Sequence, residues 1–292
     1  MERRRFIKLA ALTGAASLTS SSMVSGYLKS LPNQGLRMPV LFMGHGNPMN
    51  AIEDNIFTQG WRNMVRDIPK PKAILCISAH WETRGTKVMA NTKPRMVYDM
   101  YGFPQKLYEV KYPAPGSPEM AQEVATKIKF TSVELNNDWG FDHGTWSVLT
   151  HAFPDADIPC FQLSLNKTRD MQWHYDLAGE LSFLRKKGVL IVGSGNIVHN
   201  LSNFKALFEE SPEWALEFDA KSAELIEKGD HQALINYKQL GKAAMLSVNS
   251  AEHYIPMLYT LALQQNDEKI TFFNHGVHDN LMATGMRCLK LG

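Results

Sequence analysis

The run VLIVG at residues 189–193 is apolar throughout and passes directly into a Ser- and Gly-containing turn. Three other runs share its character: PVLFM at 39–43, AILCISA at 73–79 and IPCFQLSL at 158–165. Short apolar runs bounded by Gly, Pro or polar residues are typical of strands that are buried on both faces. These runs therefore predict four buried strands.

Helical patterns lie between and after these runs, at residues 118–125, 171–186, 212–228 and 253–265. The first pattern follows Ser117, a residue type that favours an N-cap. Strands that alternate with helices indicate an α/β fold with a mostly parallel or mixed central sheet flanked by helices. No repeat or linker interrupts the chain after residue 36, so we expect a single domain over 37–292.

The charge of the chain is unevenly distributed. Its 292 residues carry 31 Lys and Arg against 29 Asp and Glu, a net charge of +2. Residues 1–30 hold five of the basic residues and one acidic residue, which leaves 26 basic and 28 acidic residues for the remainder. Because phosphate binding needs clustered basic residues, this balance argues against a nucleic-acid partner. The apolar share of 44% excludes an intrinsically disordered chain.

The basic N-terminus has the layout of an export signal. The run RRRFIK at 3–8 precedes the weakly apolar LAALTGAASL at 9–18. A charged segment before a short apolar one is typical of export signals and too short to span a bilayer. The arginine pair with Phe-Ile-Lys resembles a twin-arginine signal, although Glu2 stands where Ser or Thr is usual. We expect residues 1–30 to direct export to the periplasm without stable membrane insertion; a nonfunctional signal would leave the protein cytoplasmic.

Three histidines follow predicted strands directly. His45 and His80 come after the first two strands, and His199 lies a few residues beyond the fourth. Ligands of open α/β sheets gather beyond the carboxyl ends of the strands. Imidazole is the commonest transition-metal ligand, so the three side chains are candidates for one metal site. Taken singly, each could instead be a hydrogen-bonded turn residue.

Two further histidines begin predicted helices, and two cysteines lie in strands. His143 starts a helix after a Gly- and Asp-rich turn, and His253 begins the apolar helical pattern at 253–265. Cys76 and Cys160 lie within apolar runs, which predicts buried thiols and no disulfide framework. The remaining histidines are predicted to have structural roles or to sit on a turn: His151, His174, His231, His275 and His278.

Several short blocks together resemble a known family. They are GHGNPM at 44–49, SAHWE at 78–82, YPAPG at 112–116, DHGTW at 142–146, GSG at 193–195 with HN at 199–200, and AEHY at 251–254. In this order they resemble the DOPA-dioxygenase branch of the class III extradiol ring-cleavage dioxygenases (LigB-like). The resemblance extends from about residue 37 to residue 290. It implies that 37–292 is a catalytic domain that opens catechol-type rings, such as that of DOPA, with O₂.

The resemblance also implies a mononuclear non-haem iron(II) site. His45 and His80 match the family's metal-binding histidines. The third ligand is a glutamate in better-known members, whereas Glu252 and His253 stand side by side here; we favour His253 and keep Glu252 as the alternative. A histidine-lined site would also accept Zn²⁺.

The resemblance gives roles to the other candidates. His199 matches the family's acid/base, which takes a catechol proton and returns it later, and it is a further candidate ligand when no substrate is bound. His143 could orient the substrate or relay a proton. The aromatic residues Trp81, Tyr112 and Trp146 could wall a ring pocket or belong to the core. The proline-rich segment 93–116 has no clear period and would cover the ring.

Two other classes of function use the same residues. A zinc-dependent hydrolase would activate water on the same histidines and would work without O₂. A non-catalytic binding protein of the same superfamily would be expected to have lost ligand residues, and His45, His80, His199 and His253 are all present. The identity of the catechol, the ring bond that is cleaved and the oligomeric state do not follow from the sequence.

Overall fold

The computed structural model describes residues 37–201, 212–276 and 284–292. The predicted signal at 1–30 and His278 therefore lie outside the described residues. The described strands are β1 Val40–Gly44, β2 Ala73–Ser78, β3 Glu82–Thr83, β4 Thr86–Met89, β5 Val133–Asn136, β6 Cys160–Gln162, β7 Leu165–Asn166, β8 Val189–Gly195, β9 Ile270–Phe273 and β10 Cys288–Leu291.

The described helices alternate with these strands. They are α1 Ile56–Val65, α2 Gln105–Tyr108, α3 Pro118–Lys127, α4 His143–Ala152, α5 Met171–Gly179, α6 Ser182–Lys186, α7 Glu213–Lys228, α8 His231–Ile235, α9 Lys242–Ser247 and α10 Ile255–Leu261, with 3-10 turns at Pro48–Ile52 and Tyr237–Leu240. None of the described helices is both long enough and apolar enough to cross a membrane.

The central sheet has the strand order β6-β2-β8-β1-β10-β9. Strands β6, β2, β8 and β1 are parallel, while β10 and β9 add antiparallel strands at one edge. Every residue of the four parallel strands is buried, as expected where helices cover both faces of a sheet. The predicted single α/β domain with a mostly parallel sheet is confirmed.

Helices cover both faces of strand β8, which lies between β2 and β1 in the central sheet. Consecutive strand residues face opposite sides of a sheet. The Cα of Gly193 faces α10, since a Cβ there would lie 2.4 Å from the Pro256 carbonyl oxygen. The next residue, Ser194, donates a hydrogen bond to the Gly144 carbonyl of α4. Strand β8 therefore has α10 on one face and α4 on the other.

Some predicted boundaries were wrong. The run at 158–165 divides into β6 and β7, because the Ser164 and Leu165 N–H groups bond the Lys87 and Trp81 carbonyls outside the central sheet. The pattern at 171–186 forms α5 and α6, and α5 ends at a glycine, which disfavours helix. Ser117 precedes α3 as predicted, but its side chain makes no capping hydrogen bond. Cys76, Cys160 and Cys288 are buried free thiols.

Candidate functional site

The carboxyl ends of β1 and β2, the two strands that flank β8, bring His45 and His80 together. His45 follows β1, and its backbone N–H donates to the carbonyl of Gly195 at the end of β8 (3.2 Å). His80 follows β2, with its N–H on the Ser78 hydroxyl (3.2 Å). The two Nε2 atoms are 3.2 Å apart. The order of the strands in the sheet thus brings into contact two imidazoles that are 35 residues apart in the sequence.

Three more histidines surround this pair. His143, the first residue of α4, places its ring 3.7 Å from that of His80 between centroids. His253 stands just before α10, and its ring lies 5.3 Å from that of His45 and 4.9 Å from that of His80. The ring of His199 stacks on that of His253 at 3.5 Å, with the planes 5° apart. All the predicted site histidines therefore line one cluster.

Burial lowers the pKa of His45, His143, His199 and His253. It is the main reason that the pKa of His45 lies well below the ordinary value, and the neighbouring His80 lowers that pKa further. The same two causes lower the pKa of His199 to about 4. Burial is also the main cause of the low pKa of His253, and the neighbouring His199 lowers that pKa further. Neutral imidazole is the form that binds metals.

A serine sets the tautomer of His45. The Ser194 hydroxyl donates its single proton to the Gly144 carbonyl. It must therefore accept the hydrogen bond that joins it to His45 Nδ1 at 3.0 Å, so Nδ1 carries the proton. The lone pair of His45 is left on Nε2, the atom that faces His80.

A carboxylate from the proline-rich segment 93–116 contacts two other imidazoles. Asp99 Oδ2 lies 3.1 Å from His80 Nδ1 and 2.9 Å from His143 Nδ1, while Oδ1 accepts from the His143 N–H at 2.9 Å. Burial would raise the pKa of Asp99, but the hydrogen bonds from His143 and His80 outweigh it and hold that pKa far below its usual range. Asp99 is thus a charged acceptor.

The neighbouring residues Glu252 and His253 have different positions. Glu252 Oε1 lies 3.1 Å from His253 Nδ1 and also accepts a hydrogen bond from the Ser250 hydroxyl (2.7 Å). The His253 side chain is 9% exposed, against 23% for Glu252. This arrangement makes Glu252 a hydrogen-bonding partner of His253 and leaves the His253 Nε2 for the cluster.

The donor set fits a transition-metal ion. Metal-bound histidines commonly donate Nδ1–H to an oxygen acceptor and bind through Nε2, as His45, His80, His143 and His253 are arranged to do. Two imidazole nitrogens at about 2.0–2.1 Å from one ion lie roughly 2.9–3.4 Å apart. The Nε2 separation of His45 and His80 falls in that range.

Metal-ligand spacing occurs twice within the described residues. One group is His45, His80 and His143; the other is His199, Glu252 and His253, and in each group the possible ligand atoms lie within 4.8 Å of one another. The predicted ligands His45 and His80 thus fall in one group, and His199 and His253 in the other. His143 is an additional candidate ligand that sequence reasoning assigned only to substrate or proton handling.

Two glycines allow the close approach of these elements. A Cβ on Gly144 would lie 2.5 Å from Ser78 Oγ and 2.8 Å from His80 Cδ2. A Cβ on Gly195 would lie 2.1 Å from the His253 carbonyl oxygen. Side chains at either position would separate α4 or the His253 segment from the strand ends.

Several supporting residues escaped the sequence reasoning. Asp142, which is fully buried, accepts hydrogen bonds from Ser78 Oγ (2.6 Å) and Gln162 Nε2 (2.7 Å) and caps α4. Ser78, Asp142 and Ser194 lie inside the motif blocks and could have been suspected there. No sequence signal pointed to Asp99 within its irregular segment.

The aromatic candidates belong to the core. Trp81, Tyr112 and Trp146 are each at most 3% exposed. Trp81 stacks on Trp139 at 5.6 Å, and the other two donate hydrogen bonds to backbone carbonyls. Only the Trp146 ring approaches a site histidine, lying 6.4 Å from the ring of His143.

The other described histidines lie outside the cluster. His174 is buried between the Tyr259 hydroxyl and the Asn166 carbonyl, and His151 contacts the Asn50 carbonyl. His231 contacts the Tyr175 hydroxyl, and His275 is exposed. These positions agree with the structural roles predicted for them.

Comparisons with known proteins agree on one family. The family model described as "Catalytic LigB subunit of aromatic ring-opening dioxygenase" matches residues 39–284. A protein of Escherichia coli K12 named 4,5-DOPA dioxygenase extradiol is 42% identical over 86% of this chain and 94% of its own length. A protein of the same name from Beta vulgaris is 34% identical over 84% and 93%. The crystal structure of an uncharacterized E. coli K12 protein, 39% identical, superimposes with a TM-score of 0.76 over 88% of this chain and all of that one.

Proposed function

Because the chain belongs to the family of catalytic LigB subunits of aromatic ring-opening dioxygenases, we propose that it opens a DOPA-like catechol beside its hydroxyls with O₂ at a single metal ion. The protein is an enzyme, an oxidoreductase of the ring-opening dioxygenase class. The observation that supports the finer proposal is the cluster of five imidazoles beyond the strand ends, in the region that matches the family.

We assign the metal to His45, His80 and His253, with iron(II) as the expected ion and Zn²⁺ as one that the same donors accept. Bound there, the metal would supply a Lewis-acidic centre with open positions for the two catechol oxygens and O₂. His253 is preferred to Glu252 because Glu252 already accepts a hydrogen bond from His253 Nδ1. His143 is the competing third ligand.

Two histidines are suited to move protons. The lowered pKa of His199, chiefly due to burial, keeps its ring neutral at pH 7 and able to accept a proton from a substrate hydroxyl. His143 donates Nδ1–H to Asp99, which leaves Nε2 as the acceptor. The enclosing protein limits access of bulk water to these protons.

A catechol panel tests the proposal. Protein loaded anaerobically with iron(II), then given O₂ with DOPA or caffeate, should form a yellow ring-opened semialdehyde and consume O₂. Iron-free protein and an anaerobic reaction are the controls. Absence of ring-opened product from every catechol, with stoichiometric iron bound, would contradict the proposal. Hydrolytic activity of the zinc form without O₂ would instead favour a hydrolase.

Replacement of His199 by alanine should reduce turnover more than metal affinity. General acid–base groups typically contribute about 10²–10⁴-fold to rate, whereas His45 and His80 would still hold the ion. Turnover of DOPA and iron affinity are measured on the same preparation. His275→Ala, which removes an exposed histidine, is the control. Equal losses of turnover and affinity would make His199 an ordinary ligand.

We also propose that residues 1–30 direct export through the twin-arginine route, on the basis of their charge and apolar order. Changing Arg3 and Arg4 together to Lys should retain the protein in the cytoplasm of a bacterial host. The measurement is the protein's distribution between periplasmic and cytoplasmic fractions. An unchanged distribution in the double variant would refute the route.

A further inference from the structure

Asp99 contacts two site histidines from a segment far from both in sequence. Its Oδ2 is shared by the Nδ1 atoms of His80 and His143, and its Oδ1 accepts the His143 backbone N–H. The Asp99 carboxylate is 18% exposed, so the interaction is partly shielded from water. One side chain therefore sets the orientation of two imidazoles.

The position of Asp99 is built into the chain. The Phe141 N–H donates to the Arg95 carbonyl (2.8 Å), and the Val97 N–H donates to the Phe141 carbonyl (2.7 Å). The Trp146 ring N–H adds a bond to the Val97 carbonyl (3.1 Å). These bonds join the chain just before Asp99 to the chain just before and within α4, so Asp99 is held opposite His143.

We propose that Asp99 is a positioning residue that fixes His80 and His143 in the Nδ1–H tautomer at the same time, and so ties segment 93–116 to the metal site. A carboxylate that accepts at both oxygens requires protons on both Nδ1 atoms. Nε2 is then the ligand atom of each ring, and the His80 Nε2 lies 3.2 Å from the His45 Nε2, a contact that needs a proton or a metal ion between the two nitrogens. The effect of Asp99 on metal binding rests on the proposed metal site, whereas the tautomers follow from the contacts of Asp99 alone.

Asp99→Asn keeps the size and shape of the side chain but replaces one acceptor oxygen by a donor NH₂ group. The His143 backbone N–H is always a donor, so the amide oxygen of the variant must take the place of Oδ1. The amide NH₂ then faces the two Nδ1 atoms, which become acceptors. Their protons move to Nε2, the ligand atoms. Volume is conserved, while the hydrogen-bond polarity is reversed.

The tautomers can be observed without metal or substrate. In metal-free protein labelled with ¹⁵N-histidine, long-range ¹H–¹⁵N spectra should show His80 and His143 protonated at Nδ1. Single-histidine substitutions assign the signals. Asp99→Asn should move both rings to the Nε2–H form, whereas Glu109→Gln, the loss of an exposed carboxylate in the same segment, should not. Absence of a proton from Nδ1 of either ring in the wild-type protein would overturn the proposal.

Metal affinity is the second readout. Competition with a chelator should show Zn²⁺ binding weakened about 10–100-fold in Asp99→Asn, the usual cost of losing a partner of a metal-bound histidine. Glu109→Gln should bind as the wild type does. Unchanged Zn²⁺ affinity in a folded Asp99→Asn variant would overturn the link to the metal site. Failure of the wild-type protein to open any catechol would contradict the proposed function while leaving the tautomer and Zn²⁺ results intact.

Discussion

His45→Ala is expected to abolish both iron binding and ring opening. His45 is 1% exposed, lies 3.2 Å from His80 between Nε2 atoms and is oriented by Ser194. Loss of a partner of a metal-bound histidine alone costs about 10–100-fold in affinity, so loss of the ligand itself should exceed 100-fold. Iron content after dialysis and turnover of DOPA measure the two effects.

The same assay distinguishes the third ligand. If His253 binds the metal, His253→Ala should match His45→Ala in loss of iron, while Glu252→Gln should weaken binding only about 10–100-fold through its contact with His253. If His143 is the ligand, His143→Ala should show the larger loss instead. His275→Ala serves as the unaffected control. Retention of stoichiometric iron by His45→Ala would contradict the assignment of the site.

Gly195→Ala is expected to damage the site without changing any polar side chain. The added Cβ would lie 2.1 Å from the His253 carbonyl oxygen, which accepts a hydrogen bond from the Asn196 N–H at 2.8 Å. Backbone on both sides must move, and overpacking of this kind costs about 1–3 kcal/mol of unfolding free energy. We expect a melting temperature lower by roughly 3–10 °C, together with weaker iron binding.

Gly179→Ala is the matched control. Gly179 ends helix α5, and a Cβ there would meet nothing within 4 Å. Alanine is favoured over glycine in helices by up to about 1 kcal/mol, so this variant should be neutral or slightly more stable. Its iron binding should be normal. A Gly195→Ala protein that melts and binds iron like Gly179→Ala would show that the close approach to His253 is not required.

The strand predictions succeeded where burial made the pattern simple. Apolar runs predicted β1, β2 and β8 to within two residues at each end, because strands covered on both faces contain few polar residues. The run at 158–165 was predicted as one strand and divides between β6 and β7. Its division depends on bonds from the Ser164 and Leu165 N–H groups to the Lys87 and Trp81 carbonyls, which are far away in sequence.

The candidate histidines could be selected from sequence because they stand at strand ends and helix starts, where α/β folds gather ligands. Their hydrogen-bond partners could not. Asp99 lies in an irregular segment and reaches the site through backbone bonds between the Arg95–Val97 stretch and Phe141. The sequence left open whether three aromatic residues wall a pocket or belong to the core: Trp81, Tyr112 and Trp146. Their burial in the structure places them in the core.

The amino-acid sequence by itself determined the α/β class, the single domain after residue 36 and the histidines that meet, since these depend on local periodicity and on strand ends. Tertiary structure alone decided which ring nitrogen donates a proton in His45, His80, His143 and His253. That outcome depends on Ser194, Asp99 and Glu252 lying within about 3 Å of particular Nδ1 atoms. Hydrogen bonds act only at such distances, and packing of distant segments, rather than their order in the chain, sets those distances.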